Sequence, residues 1–98
     1  MSFDIVKSEV FTRKAGKLLK KQPELIPIIK NVLIKLKDNP YDLSLKSHKL
    51  KGKLKDSYAC SINYDYRIIF KILLNFSIEG TNRNIIFLET IGTHDEVY

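Results

Sequence analysis

Two histidines, one arginine and a run of lysines are the side chains of this sequence that could do chemistry. His48 lies in "KSHKLKGKLKD", among Lys46, Lys49, Lys51, Lys53 and Lys55. His94 lies in "GTHDEVY", a few residues before Tyr98, and Arg67 interrupts an apolar stretch in "DYRIIF", just after Asp65 and Tyr66. Histidine can take up or release a proton near neutral pH. Two of them beside an arginine and a lysine cluster would suit cleavage of a phosphodiester. One group removes a proton from the attacking oxygen, one protonates the leaving oxygen, and the cations stabilise charge on phosphorus. Each residue also has a plainer reading. A histidine in a lysine-rich loop is commonly just a solvated side chain, and His94 also fits a turn residue following Gly92. The lysine run by itself reads as a solvated face. Arg67 is harder to dismiss: flanked by Tyr66 and Ile68, it must either reach an edge or meet a partner, and its guanidinium is a natural binder of phosphate or carboxylate. Tyr58 and Tyr66 are read as strand packing rather than as platforms for RNA bases.

Composition narrows the function classes. The 98 residues, 44% hydrophobic and 29% charged, suit one domain, residues 1–98, with a core of its own. Charge is unevenly distributed. Residues 1–58 carry fourteen basic and six acidic side chains, residues 59–98 three and five. The first half should therefore attract polyanions or an acidic protein. One cysteine, Cys60, forms no internal disulfide and reads as a small apolar filler. No signal-like or membrane-spanning stretch is present, so a cytoplasmic location is expected, with no membrane partner. One cysteine and two distant histidines supply no structural zinc site, no glycine motif cradles phosphate, and no serine sits in a nucleophile elbow. No metal or small-molecule cofactor is expected.

The elements that must position these residues follow from periodicity. "FDIVKSE" alternates as a strand does. From Glu9 the period becomes helical, with Val10, Phe11, Ala15, Leu18 and Leu19 inward, lysines and Arg13 outward, and Ser8 as the N-cap. Pro23 suits the first turn of a second helix carrying Leu25, Ile26, Ile29, Val32, Leu33 and Leu36 inward and stopping at "DNP", residues 38–40. Residues 41–57 show no clean pattern and read as a basic loop around Gly52. In "YACSINYDYRIIFKILLNF" the "NYD" of residues 63–65 is a turn or bulge between two strands. "SIEGTNRN" reads as a hydrophilic loop before a last strand, "IIFLETIG". The apolar runs at 68–74 and 85–88 ask for a position covered on both faces for at least one strand. The fold class expected is α+β, in the order β-α-α-β-β-β: a small twisted antiparallel sheet with a helical hairpin packed on one face.

With these residues in view, the sequence resembles the RelE/ParE toxin superfamily of bacterial toxin–antitoxin modules, most of all its YafQ-like mRNA interferase branch. The motifs that carry the likeness are "H-x-L-x-G" from His48, "DYRIIF", and "GTH" followed by Tyr98. The resemblance implies a RelE-like fold and ribosome-dependent cleavage of mRNA by attack of a 2′-hydroxyl on the adjacent phosphate, without a metal. It implies acid and base roles for His48, Asp65 and His94, a phosphate-contacting role for Arg67, and a C-terminal aromatic role for Tyr98. Lys49, Lys51 and Lys53 become RNA or phosphate contacts. The partners implied are a cognate antitoxin protein, the ribosome and mRNA. Two departures stand out: Ser61 and Thr90 occupy places where YafQ-like members often carry a histidine and an arginine. The segment around "LLNFSIEGTNRN" also reads as longer than the family's usual hairpin. Two alternatives stay open, a ParE-like inhibitor of DNA gyrase with no nuclease activity, and an inactive basic RNA-binding module. "GTHDEVY" is expected to be ordered, with Gly92 turning the chain out of the last strand.

Overall fold

A computed structural model describes residues 2–98, apart from the Lys53 side chain. It holds β1 (Asp4–Lys7), α1 (Glu9–Lys21), α2 (Ile26–Asp38), β2 (His48–Lys49), β3 (Tyr58–Ser61), β4 (Tyr66–Ile78), β5 (Thr81–Thr93) and α3 (His94–Val97). The five strands form one sheet in the order β1-β5-β4-β3-β2. This is the α+β architecture expected, with one difference in pairing. β1 runs parallel to β5, and the other pairs are antiparallel.

Local chemistry accounts for the helices. Ser8 caps α1 by accepting the Phe11 N–H at 2.9 Å, and its hydroxyl also donates to the Glu89 carbonyl, tying the helix start to β5. Pro23 opens a 3₁₀ turn, Pro23–Leu25, and α2 begins directly after it. Pro40 lies just beyond the Asn39 C-cap, where the helix must end. Two residues expected inward are not: Val10 is 40% exposed and Ile26 39% exposed. Each sits at the margin of its apolar stripe, and the neighbouring Phe11 and Leu25 fill the core instead.

The helices cover one face of the sheet. Phe11, Leu25, Ile29, Val32 and Leu36 pack against Cys60, Ile68, Phe70, Ile86, Leu88 and Ile91. The alternate residues Ala59 and Ile69 face the other way and form a smaller core with Val97 of α3 and Leu50. β4 is thus covered on both faces, as its apolar run requires. Among the described residues, no helix is long and apolar enough to cross a membrane.

Two stretches expected as loops contain structure. Residues 41–57 hold two 3₁₀ turns, Leu43–Leu45 and Gly52–Leu54, and the short strand β2 between them. Lys46 ends the first turn in the left-handed region (φ 52°), which redirects the chain into β2. "SIEGTNRN" is the tip of a continuous β4–β5 hairpin, closed between Ile78 and Thr81 by Glu79 (φ 50°) and Gly80 (φ 80°). Two positive φ values are the signature of the type I′ turn, whose twist matches that of the flanking strands. The register slips twice along this hairpin, between Ile69 and Phe70 and again between Leu73 and Phe76. The first slip makes Glu89 an extra residue on β5, and its carboxylate accepts a short hydrogen bond from the buried Ser57 hydroxyl.

Candidate functional site

The side chains with chemical potential gather on the sheet face opposite the helices, at the end where β4 begins and β5 finishes. Strand register puts them there. Arg67 pairs with Ser61 on one side and Gly92 on the other, and His48 pairs with Ala59. Side chains of paired residues lie on the same face of a sheet, so Arg67, Ser61 and His48 share the face of Ala59 and Ile69.

Arg67 is fixed by the turn before it. Asn63 Oδ1 accepts the N–H groups of Asp65 and Tyr66 at 3.0 and 2.9 Å, and this side-chain bond shapes the turn. Its backbone carbonyls then face Arg67: Nη1 donates to the oxygens of Asn63 (2.7 Å), Tyr64 (3.1 Å) and Tyr66 (3.0 Å). Among the described residues, Nε and Nη2 meet no acceptor. The guanidinium is therefore anchored at one corner and able to grip an oxyanion with the remainder.

α3 brings in the rest. The Thr93 hydroxyl and the Glu96 carboxylate form a reciprocal capping box at its start, with the Thr93 N–H donating to Glu96 Oε1 at 2.9 Å. That bond, reinforced by the charges of Lys14 and Lys21, lowers the Glu96 pKa. Gly92 lies within β5 and has no positive φ, so it does not turn the chain as expected. A Cβ there would stand 3.1 Å from Glu96 Cβ and 3.2 Å from Val97 Cγ1. Its missing side chain is what lets α3 fold back against the sheet.

Docked in this way, the tail joins the two histidines through Tyr98. The Tyr98 hydroxyl is 3.4 Å from His48 Nε2, and the Tyr98 ring meets the His94 ring edge-on with centroids 4.4 Å apart. His48 Nδ1 lies 3.4 Å from the Lys46 carbonyl, and against a carbonyl that nitrogen can only donate, which leaves Nε2 as the acceptor facing Tyr98. Burial pushes the Tyr98 phenol up, with the Arg67 charge opposing, so at neutral pH it is a neutral donor.

The eight residues singled out in the sequence fall into three groups. Arg67 lines two adjoining clefts, one shared with Asp65 and His94, the other with His48 and Lys46. Lys51 lines a third with His48 and Tyr98. Lys49 pairs with Tyr58, so it projects from the face opposite His48 and stands apart from the cluster. The Lys53 side chain lies outside the described residues. Ser61 borders the His48 cleft, and its hydroxyl donates to the Asn63 carbonyl. Tyr58 stacks on Phe70 and Tyr66 accepts a hydrogen bond from Gln22, in keeping with packing roles. Tyr64 was not anticipated. It is 92% exposed at the tip of the Asn63 turn and borders both Arg67 clefts. An aromatic residue in the middle of a turn, with nothing local to pack on, was the available signal. Among the described residues, no group of three or more His, Cys, Asp or Glu could hold a metal ion.

No protein-family model matches the chain, and no curated protein matches it in sequence. Solved structures do match along the whole length. A metal-bound toxin from Helicobacter pylori is 27% identical, covering 98% of this chain and 99% of that one, with a TM-score of 0.73. YafQ from E. coli strain BL21(DE3) is 21% identical over 98% of both chains, with a TM-score of 0.74. A YoeB/ParE toxin from Agrobacterium tumefaciens is 13% identical, covering 94% of this chain and 99% of that one, with a TM-score of 0.76. The chain shares the fold of these RelE/YafQ-like toxins over its whole length.

Proposed function

We propose that the protein is the toxin of a type II toxin–antitoxin module and acts in the cytoplasm as a ribosome-dependent, metal-independent endoribonuclease on mRNA. The observation that carries this reading is the placement of Arg67 between two clefts, one bordered by His48 and the other by His94, with Tyr98 touching both histidines. The YafQ likeness supports it, and YafQ is found with DinJ in a toxin–antitoxin complex. A cognate antitoxin is accordingly the expected protein partner here.

In the reaction a 2′-oxygen forms a bond to the adjacent phosphorus, and the bond from phosphorus to the 5′-oxygen breaks. His48, with Nε2 as its lone-pair nitrogen, takes the 2′-hydroxyl proton through the Tyr98 hydroxyl, which gives its own proton to Nε2 and accepts that of the substrate. His94, whose Nδ1 lies 3.6 Å from the Asp95 carboxylate, returns a proton to the leaving 5′-oxygen. The free edge of the Arg67 guanidinium meets the charge growing on the phosphoryl oxygens. Tyr98 holds the two rings in relation to each other, Asp65 orients groups in the His94 cleft, and Lys51 adds positive charge beside His48. Lys49, which stands apart from the cluster, and Lys53 serve as further phosphate contacts.

The test is primer extension on mRNA translated in vitro with the purified protein. New cleavage at ribosome-associated codons, lost in His94→Gln and His48→Gln, is the expected result. Absence of cleavage by a folded sample refutes the reading. Fold alone does not separate a nuclease from a gyrase inhibitor. Growth arrest that survives His94→Ala while gyrase supercoiling falls would identify the latter.

A further inference from the structure

The basic face of α1 borders a cleft that the chemistry above does not use. Arg13, Lys14, Lys17 and Lys21 form its wall. Arg13, Lys17 and Lys21 recur at every fourth residue, so they stand in a row about 6 Å apart along the helix axis. That is close to the separation of successive phosphates on a polynucleotide strand. Among the described residues, no carboxylate forms an ion pair with Arg13 or Lys17. Lys14 and Lys21 act on Glu96, which is itself bonded to the Thr93 amide.

The row leads toward the candidate site. Gln22, the C-cap of α1, donates to the Tyr66 hydroxyl at 2.8 Å, and this pair lines both the basic cleft and the cleft of Arg67 and His94. A chain leaving Arg67 past His94 thus passes Gln22 and meets Lys21, Lys17 and Arg13 in turn. Leu18, Ile91 and the Tyr66 ring supply the apolar part of the lining, and Glu96, whose carboxylate is held by the Thr93 amide, also borders the cleft. Regular cations joined to a phosphodiester site fit an RNA backbone better than an acidic protein.

We propose that the α1 cleft binds the phosphates of the same RNA strand that is cut at Arg67, a few nucleotides away from the scissile bond. This rests on the nuclease reading and adds to it a subsite for flanking RNA, read through backbone charge and indifferent to base sequence.

The experiment measures binding of uncleavable 2′-O-methyl oligouridylates, one a trinucleotide and one of about twelve nucleotides, a length within the range that single-strand grooves engage. Affinity is followed against salt for the wild type and for Arg13→Gln combined with Lys17→Gln. Both side chains are exposed, so the fold should be unaffected. Each phosphate contact on a single strand contributes about 0.7 to the slope of log K against log salt, so the double variant should lower the slope for the longer RNA by about 1.4. Trinucleotide binding should be unchanged, and the charge-conserving Arg13→Lys with Lys17→Arg should restore the slope. An unchanged slope in a protein that does bind the longer RNA overturns the subsite and leaves the nuclease reading standing. Failure of the wild type to bind the longer RNA also overturns the subsite, while the nuclease reading is decided separately by cleavage of mRNA on the ribosome. Tighter binding of polyglutamate than of RNA, lost in the double variant, would assign the cleft to an acidic protein and also overturn the proposal.

Discussion

Replacing Val97 by alanine would separate the docking of α3 from the chemistry of its neighbours. Val97 is 8% exposed and packs against Ala59, Ile69 and Leu50. A four-residue helix has no stability of its own, so α3 stays on the sheet through this burial and through the Thr93–Glu96 capping box. The substitution removes about two methylene equivalents, ~1.6 kcal/mol of burial at ~0.8 kcal/mol each. That corresponds to about fifteenfold in the equilibrium between docked and undocked tail. Val97 lies between His94 and Tyr98, so undocking carries both away from His48 and Arg67. In single-turnover cleavage the rate constant should fall by up to about fifteenfold, the limit reached when the docked state holds little surplus stability. Hydrogen exchange supplies the independent readout. The Tyr98 N–H donates to the His94 carbonyl at 3.1 Å, and it should exchange faster in the variant. Faster exchange at Tyr98 with an unchanged cleavage rate would refute the argument that chemistry needs the docked tail.

Three further substitutions or conditions test other parts of the structure. Arg67→Lys keeps the charge but loses the planar fork that three carbonyls hold in place; cleavage should drop by about 10²–10³-fold with an unchanged circular dichroism spectrum. Burial pushes the Cys60 thiol up to about 12, from 9.0. Its neutral form is therefore the one the fold favours, a contribution complete below pH 9.0 and lost as pH rises toward about 12. Ellman's reagent at pH 8 should accordingly leave the native thiol unlabelled, and denaturant midpoints should fall over that alkaline window, more in the wild type than in Cys60→Ala. Glu79→Asn places a residue tolerant of the left-handed region at φ 50° in the hairpin turn and should stabilise by about 0.5–1 kcal/mol. For a chain of this size that is a rise of roughly 2–8 °C in Tm, read by thermal melting.

What the sequence disclosed depended on whether the signal was local. The Ser8 cap, the stop at Pro40 and the amphipathic period of α1 are written within a few residues each, and they appear where the pattern places them. Direction is not written in a short alternating strand, so nothing in "FDIVKSE" said that β1 would lie parallel to β5. β2 has two residues, too few for any period, and exists because Ala59 and Tyr58 are there to pair with it. The long hairpin carries no such local mark, because Glu79–Gly80 is not the Asn-Gly or Asp-Gly typical of a type I′ turn. The site followed the same division. Residue types identified His48, Arg67 and His94, yet the contact of His48 with Tyr98 spans fifty positions and depends on the register of three strands.

Register also gives a physical account of one departure from the family pattern. Thr90 stands where YafQ-like sequences often place an arginine, and it pairs with Ile69; Arg67 pairs with Gly92, two positions further along the same face. The two sites are diagonal neighbours, close enough for long side chains to reach the same point from adjacent strands. Here the Thr90 hydroxyl is buried without a hydrogen-bond partner among the described residues. Ile69 packs with Val97 beside it. An arginine at 90 would have to bring its charge out past this small core. An arginine at 67 lies beyond it, over Gly92, and finds the three turn carbonyls of Asn63, Tyr64 and Tyr66 already aimed at it. Placing the guanidinium on β4 thus leaves α3 free to pack on the sheet and keeps the charge at the junction of the two histidine clefts.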